Sequence, residues 1–261
     1  MSSFWIGLFL VGFVLASLIY LIALRVKLMA IVDLIWTGGI GISAIAYYFV
    51  QEQAHARTDF VVIIVCLWSF RLTYHLLRDR VLRGHEDPRY SNLAQHWGAR
   101  SKRNFYFLFL AQIVFIAVFI FPVTIAASNT VGGGRFADVF AIFIALAALL
   151  GEALADRQLA NFRADPANKG GVCRDGLWRY SRHPNYFFEW LHWWAYVAFA
   201  WGAPNWALTL IGPAAMYVFL RYLTGIPHAE RSSLKSRGEA YRNYQQTTSA
   251  FFPWIPHRPQ S

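Results

Sequence analysis

Charged side chains are scarce, only 15% of 261 residues, while 57% are hydrophobic. A soluble domain of this size needs more polar cover, so lipid is the expected solvent. Acids are the rarer sign, 14 Asp and Glu against 24 Lys and Arg. The two cysteines, Cys66 in an apolar run and Cys173 in a polar one, imply no disulfide framework. The N-terminal run lacks a basic leader region and a small-residue cleavage site, so it reads as a retained helix rather than a signal peptide. No internal repeat or low-complexity tract divides the chain, and one integral membrane domain over 1–261 is expected. GxGxxG is also missing, and Gly132-Gly133-Gly134 falls in a connection remote from the motifs described below. That speaks against a Rossmann domain.

Apolar windows near 4–24, 28–50, 60–77, 104–127, 136–156, 186–202 and 205–223 are each close to the ~20 residues that cross a bilayer. The expected fold is an all-α polytopic membrane protein with about seven spanning helices. Of the 24 Lys and Arg, 21 fall in the first, third and fifth connections and the tail. The positive-inside rule then puts the N-terminus outside and the C-terminus in the cytosol. Topology accounts for the formal charge of +10, and no nucleic-acid partner is expected.

Ionisable and amide residues within the windows are functional candidates, because lipid penalises them. Asp33 is expected ~9 Å in from the cytosolic end of the second window, Arg71 ~10 Å in along the third and Gln112 ~12 Å along the fourth. His75, Glu152, Asp156, Glu189 and His192 fall in the same inner half. A polar pocket open to the cytosol is expected, the alternative being an Asp33–Arg71 pair that only holds helices together. The histidines lack ligand spacing on a common face, so no metal is expected.

The most informative run, Gly176-Leu177-Trp178-Arg179-Tyr180-Ser181-Arg182-His183-Pro184-Asn185-Tyr186, opens the sixth window. Pro184 suits a first helical turn. Free N–H groups there, beside Arg179, Arg182 and His183, make a candidate phosphate site. Asn185, Glu189 and Trp193 share one helix face, which could hold a planar polar group. An aromatic interfacial belt is the plainer reading of the same residues.

The stretch ADPANKGGVCRDGLWRYSRHPNYFFEW at 164–190 closely resembles bacterial membrane proteins with a steroid 5-alpha-reductase-like C-terminal domain, the DUF1295 family. The likeness includes GEALADRQLANF at 151–162, LRYLTGIPHAE at 220–230 and GEAYRNYQQTTSAFFP at 238–253, within a reductase-like region of about 104–256. It is weaker upstream, at VDLIW, 32–36. The resemblance implies a seven-helix reductase of a bacterial inner membrane. It would bind NADPH on the cytosolic side and pass hydride to an activated C=C bond of a steroid-like or other lipid substrate. The cofactor residues it implies are Asp156, Arg163, Tyr180, Asn185, Glu189 and Arg221, with Asn185 on the nicotinamide amide and arginines on the phosphates. Lys169, Arg174, Arg182, His183 and Tyr186 complete the candidate set.

The departures fall in the N-terminal half. Steroid reductases resemble one another in a glutamine–glutamate pair and a tyrosine that handle the substrate carbonyl; by spacing this chain offers Asp33 and Trp68. Gln51-Glu52 matches the pair in text but falls at the opposite helix end. The expected substrate pocket is Asp33, Trp36, Trp68, Arg71 and Gln112, with Asp33 or Tyr180 as catalytic acid and Tyr74 as a further donor if Asp33 is paired. RHPNY and the tail residues Glu230, Glu239, Tyr241 and Tyr244 also fit a membrane methyltransferase using S-adenosylmethionine, which is the alternative expectation. Membrane lipids are expected partners, and the sequence leaves the oligomeric state open.

Overall fold

The computed structural model describes residues 2–51, 54–84, 86–130 and 134–257. His85, Glu52 and the Gly132-Gly133 pair therefore lie outside the described residues. Nine α-helices are present among the described residues: α1 Ser2–Val26, α2 Val32–Val50, α3 Ala56–Leu76, α4 Pro88–Trp97, α5 Ser101–Ala127, α6 Gly134–Ala164, α7 Pro184–Ala200, α8 Ile211–Val218 and α9 Ile226–Thr247. They contain no β-strand. The chain is an all-α polytopic membrane protein.

Among the described residues, six helical stretches are long and apolar enough to cross a membrane: Ser2–Val26, Met29–Val50, Ala56–Val81, Pro88–Ala127, Phe136–Ala164 and Trp206–Thr247. The expected seventh corresponds to α7, whose 17 residues span only ~25 Å against a hydrocarbon core of ~30 Å. By contrast, the 31 residues of α6 run ~46 Å, so α6 can cross lipid and still carry its last turns beyond it.

The sequence reads as one membrane domain, and the structure groups it into two compact units. Unit 1 comprises Met1–Gly133 and Phe199–Ile211; unit 2 comprises Gly134–Ala198 and Gly212–Ser261. In unit 1, α2 packs against α3 and α5, and α1 against α5. Small residues permit the approach: a Cβ on Gly41 would stand 2.4 Å from Ser69 Oγ, and one on Gly39 would stand 2.4 Å from Ile116 Cδ1. Hydroxyls stitch the helices where lipid offers no partner. Ser69 Oγ donates to Thr37 O at 2.7 Å, Thr58 Oγ1 to Ala127 O at 2.8 Å and Tyr47 OH to Thr124 O at 3.2 Å.

In unit 2, α6 and α7 approach as closely, with a Gly151 Cβ falling 2.4 Å from the Phe188 ring. The polar run between them folds onto the end of α6: Gln158 Oε1 accepts from Leu177 N at 2.9 Å, and Trp178 Nε1 donates to Ala155 O at 2.9 Å. The polar tail helix α9 bends at Gly238, whose φ of 53° lies in the left-handed region that glycine favours.

Candidate functional site

Asp33 sits in the first turn of α2, not a third of the way along a spanning helix. Its partners do not include Arg71, the pairing of the alternative reading. Arg89 Nη2 donates to Asp33 Oδ2 at 2.8 Å, Tyr90 OH donates to Oδ1 at 2.6 Å and Arg80 also bonds Oδ2. Asp87 caps α4 by accepting from Arg89 N at 2.9 Å and binds the same guanidinium. Burial alone would raise the Asp87 carboxyl, but Arg89 holds it below the usual carboxylate range. Glu86 closes the arrangement by accepting from Ala30 N at 2.9 Å and Met29 N at 2.5 Å. A carboxylate accepting from two guanidiniums and a phenol is an anchor for the 78–90 connection, and the proton-donor expectation for Asp33 is corrected on that geometry.

The other substrate-pocket candidates also lie in unit 1. Trp68 is fully buried and packs edge-to-face on Trp36, centroids 5.8 Å apart, while Trp36 meets Phe119 at 5.7 Å. Gln112 is 8% exposed and donates to Leu108 O of its own helix at 3.0 Å. Trp68 and Gln112 are therefore core residues, a correction to their pocket assignment. Arg71 is half-buried on α3, with Nε and Nη2 shielded from solvent.

All eleven cofactor candidates fall in unit 2. Four successive residues, Ser181, Arg182, His183 and Pro184, are buried. The tail covers them: Arg182 N donates to Ser249 O at 2.8 Å, Ser181 Oγ to Phe251 O at 2.9 Å and Trp254 N to Tyr180 O at 2.9 Å. The Arg182 guanidinium is spent internally, through Nε on Glu230 at 2.7 Å and Nη1 on Gln245 O at 3.0 Å and Thr248 O at 2.6 Å. His183 Nε2 lies 3.4 Å from the same Glu230 oxygen, and its ring stacks on Tyr186 with centroids 5.3 Å apart. Burial lowers the His183 pKa from its ordinary value, against the opposing pull of Glu230.

Two expectations change accordingly. Arg182 and His183 are internal ties between the motif and the tail, not phosphate ligands, and burial of the run ends at Pro184, with Asn185 partly exposed. Of the candidate phosphate-binding cations, Arg163, Lys169, Arg174 and Arg179 are exposed. Arg174 holds its place by donating to Ala240 O at 2.8 Å, with its guanidinium 5.4 Å from the Tyr244 ring centre. Arg221 is half-buried in a π-helical turn, Phe219–Leu223, over Tyr222.

Asn185 and Asp156 do meet. Asn185 Nδ2 donates to Asp156 Oδ1 at 3.1 Å, and Asn185 Oδ1 accepts from Tyr186 N at 3.0 Å. This bond sets the register of α6 on α7. One turn further along each helix stand Glu152 and Glu189, each 5% exposed. The Asn185 face continues at His192 and Tyr196, whose ring nitrogen and hydroxyl lie 2.7 Å apart, both residues buried. Tyr196 was missed by the sequence reading. The signal was available in the spacing, since 185, 189, 192 and 196 follow the three-and-four rhythm of one helical stripe. Tyr180 is 43% exposed at the rim.

The DUF1295 family profile, described as a protein family of unknown function, matches residues 19–248. The chain belongs to the DUF1295 family. Like this DUF1295 chain, an uncharacterized protein of Schizosaccharomyces pombe aligns over nearly the full length, at 26% identity across 97% of this chain and 80% of the relative. No solved structure matches.

Proposed function

We propose that this DUF1295 protein is an NADPH-dependent membrane reductase that adds hydride to an activated C=C bond of a lipid-like substrate. The observation that carries the reading is the Asp156–Asn185 pair at the head of a buried polar stripe, on the same unit as four exposed cations. A dinucleotide fits this chemistry, needing an amide or carboxylate for its carboxamide and several cations for its phosphates. Asn185 and Glu189 would hold the carboxamide, and Arg163, Lys169, Arg174 and Arg179 the phosphates, with Arg221 and Tyr180 beside them. When bound, the cofactor supplies the hydride.

The protein's own work is then to orient the acceptor and to deliver a proton. Asp33 is committed to Arg80 and Arg89, which leaves the tyrosine hydroxyls of unit 2. Two of them flank the Asn185 stripe: Tyr180 at the rim and Tyr196, held by His192, at depth. Apolar helix surroundings exclude water from the second of these. In this reading the basic connections face the cytosol, the N-terminus lies outside, and the host is a cell membrane of bacterial inner-membrane type.

Binding of NADPH, NADH and S-adenosylmethionine to the purified protein tests the proposal. Selective NADPH binding, weakened by Asn185→Ala, is the expected result. Binding of S-adenosylmethionine alone would instead make it a methyltransferase. The tail acid and tyrosines behind that alternative are largely spent on packing, since Glu230 binds Arg182 and Tyr244 bonds the Trp178 and Ser181 carbonyls.

A further inference from the structure

The coil that follows the polar helix α9 is itself apolar. From Asn243 to Pro256 the chain carries no charged side chain, and 248–257 lies outside the six candidate spans. Yet Phe252 is 46%, Trp254 67% and Ile255 75% exposed. Three large apolar side chains held out together on one short coil mark a contact surface rather than one that meets water. None of the three has a part in the proposed reduction.

Contacts within unit 2 give the depth of the coil. The Phe252 ring meets Trp190 at 5.4 Å and Tyr217 at 6.1 Å, centroid to centroid. Trp190 stands six residues along α7 from Pro184, ~9 Å in. Tyr217 stands as many residues before Leu223, where α8 and its π-helical turn end, in a helical run apolar enough to cross a membrane. Phe252 is therefore below the ends of both helices, and a side chain exposed at that depth of a spanning helix faces acyl chains. Trp254 returns to the rim, where its N donates to Tyr180 O at 2.9 Å, four residues before Pro184. A phenyl ring below and an indole at the boundary follow the order that membrane interfaces favour. The backbone suits such a setting: Pro253 and Pro256 have no N–H to satisfy, and His257 N donates to Thr247 O at 2.8 Å.

We propose that Phe252, Trp254 and Ile255 insert into the surrounding lipid as an interfacial anchor, and that this insertion fastens the tail over the buried Ser181-Arg182-His183 run. The occupant is the boundary between headgroups and acyl chains, which takes apolar side chains to a depth of ~5–10 Å. The fastening follows from the bonds beside the anchor. Arg182 N donates to Ser249 O and Ser181 Oγ to Phe251 O just before it, and Trp254 N donates to Tyr180 O within it. The inference needs no bound dinucleotide, and its failure would leave the reductase reading standing.

The test uses the full chain without Cys66 and Cys173, one copy per phosphatidylethanolamine–phosphatidylglycerol nanodisc. A nitroxide is attached through Ile255→Cys, and its relaxation by oxygen, which concentrates in lipid, is compared with its relaxation by a water-soluble nickel chelate. Lys235→Cys, exposed on α9, is the water reference, and Leu150→Cys, 68% exposed on α6, is the lipid reference. The expected oxygen-to-nickel ratio at 255 is severalfold above that at 235 and below that at 150. A ratio equal to that at 235 would put the coil in water and overturn the proposal. Exclusion of both reagents would mean that protein covers the coil, and would overturn it too. In the otherwise native chain, Trp254→Ser with Ile255→Ser should speed tryptic cleavage within 165–183 severalfold in the same discs, whereas Trp254→Phe with Ile255→Leu should keep the native rate. Both side chains are exposed, so a coil in water would not feel the serine pair, and an unchanged rate would overturn the fastening.

Discussion

Arg182 and Arg179 lie three residues apart in one basic motif, and the structure gives them opposite fates. Arg182 is 9% exposed and bound to Glu230, whereas Arg179 is exposed. Breaking a buried pair strands the partner charge, so Arg182→Met should cost on the order of 3 kcal/mol, read as a lower melting midpoint in detergent. Arg179→Ala should leave that midpoint unchanged and weaken NADPH binding severalfold. His183 adds a pH dependence. Its folded pKa lies below the ordinary 6.5, so the neutral ring stabilises the fold fully above that value. The contribution is lost as pH falls through the lower folded value. Arg182, Arg221 and Glu230 are the charges acting on it. Thermal midpoints at pH 7.5 and 5.5 should differ in that sense, and His183→Gln should reduce the difference. Tyr196→Phe against Tyr180→Phe decides the proton donor: loss of enone turnover with intact NADPH binding marks the residue responsible.

Among elements, α6 and α7 carry the site, and their register depends on one glycine. With a Gly151 Cβ only 2.4 Å from the Phe188 ring, Gly151→Val must push the helices apart. It should weaken both stability and NADPH binding, and Phe188→Ala in the same chain should restore part of each by vacating the space. The tail is the second dependency. Ser249, Thr248 and Phe251 supply carbonyls to Arg182 and Ser181, so removing 248–261 should expose the 165–183 connection to protease at the rate of an open loop. Periodicity and Pro184 placed α7 correctly from its sequence, but nothing local in 248–254 announced that this segment would cover the motif. Contacts between residues 65 or more positions apart leave no mark in a hydropathy pattern.

For the whole molecule, the distribution of Lys and Arg predicts that Lys169→Cys and Arg57→Cys, in a chain without Cys66 and Cys173, label from opposite sides with a membrane-impermeant maleimide; labelling from one side would revise the topology. The helical membrane character followed from sequence alone, because lipid forces long apolar helices on any spanning segment. So did the cluster of candidate residues in unit 2, because Asn185 and Glu189 share a helix face by spacing. Side-chain commitments were decided only by tertiary structure. Asp33, Trp68 and Gln112 read as pocket residues and fold as anchor or core, and Arg182 and His183 read as phosphate ligands and fold as internal ties. Composition records that a polar group is present at a given depth. Whether it faces a ligand or a neighbouring side chain depends on which distant segment reaches it first, and that is settled by packing.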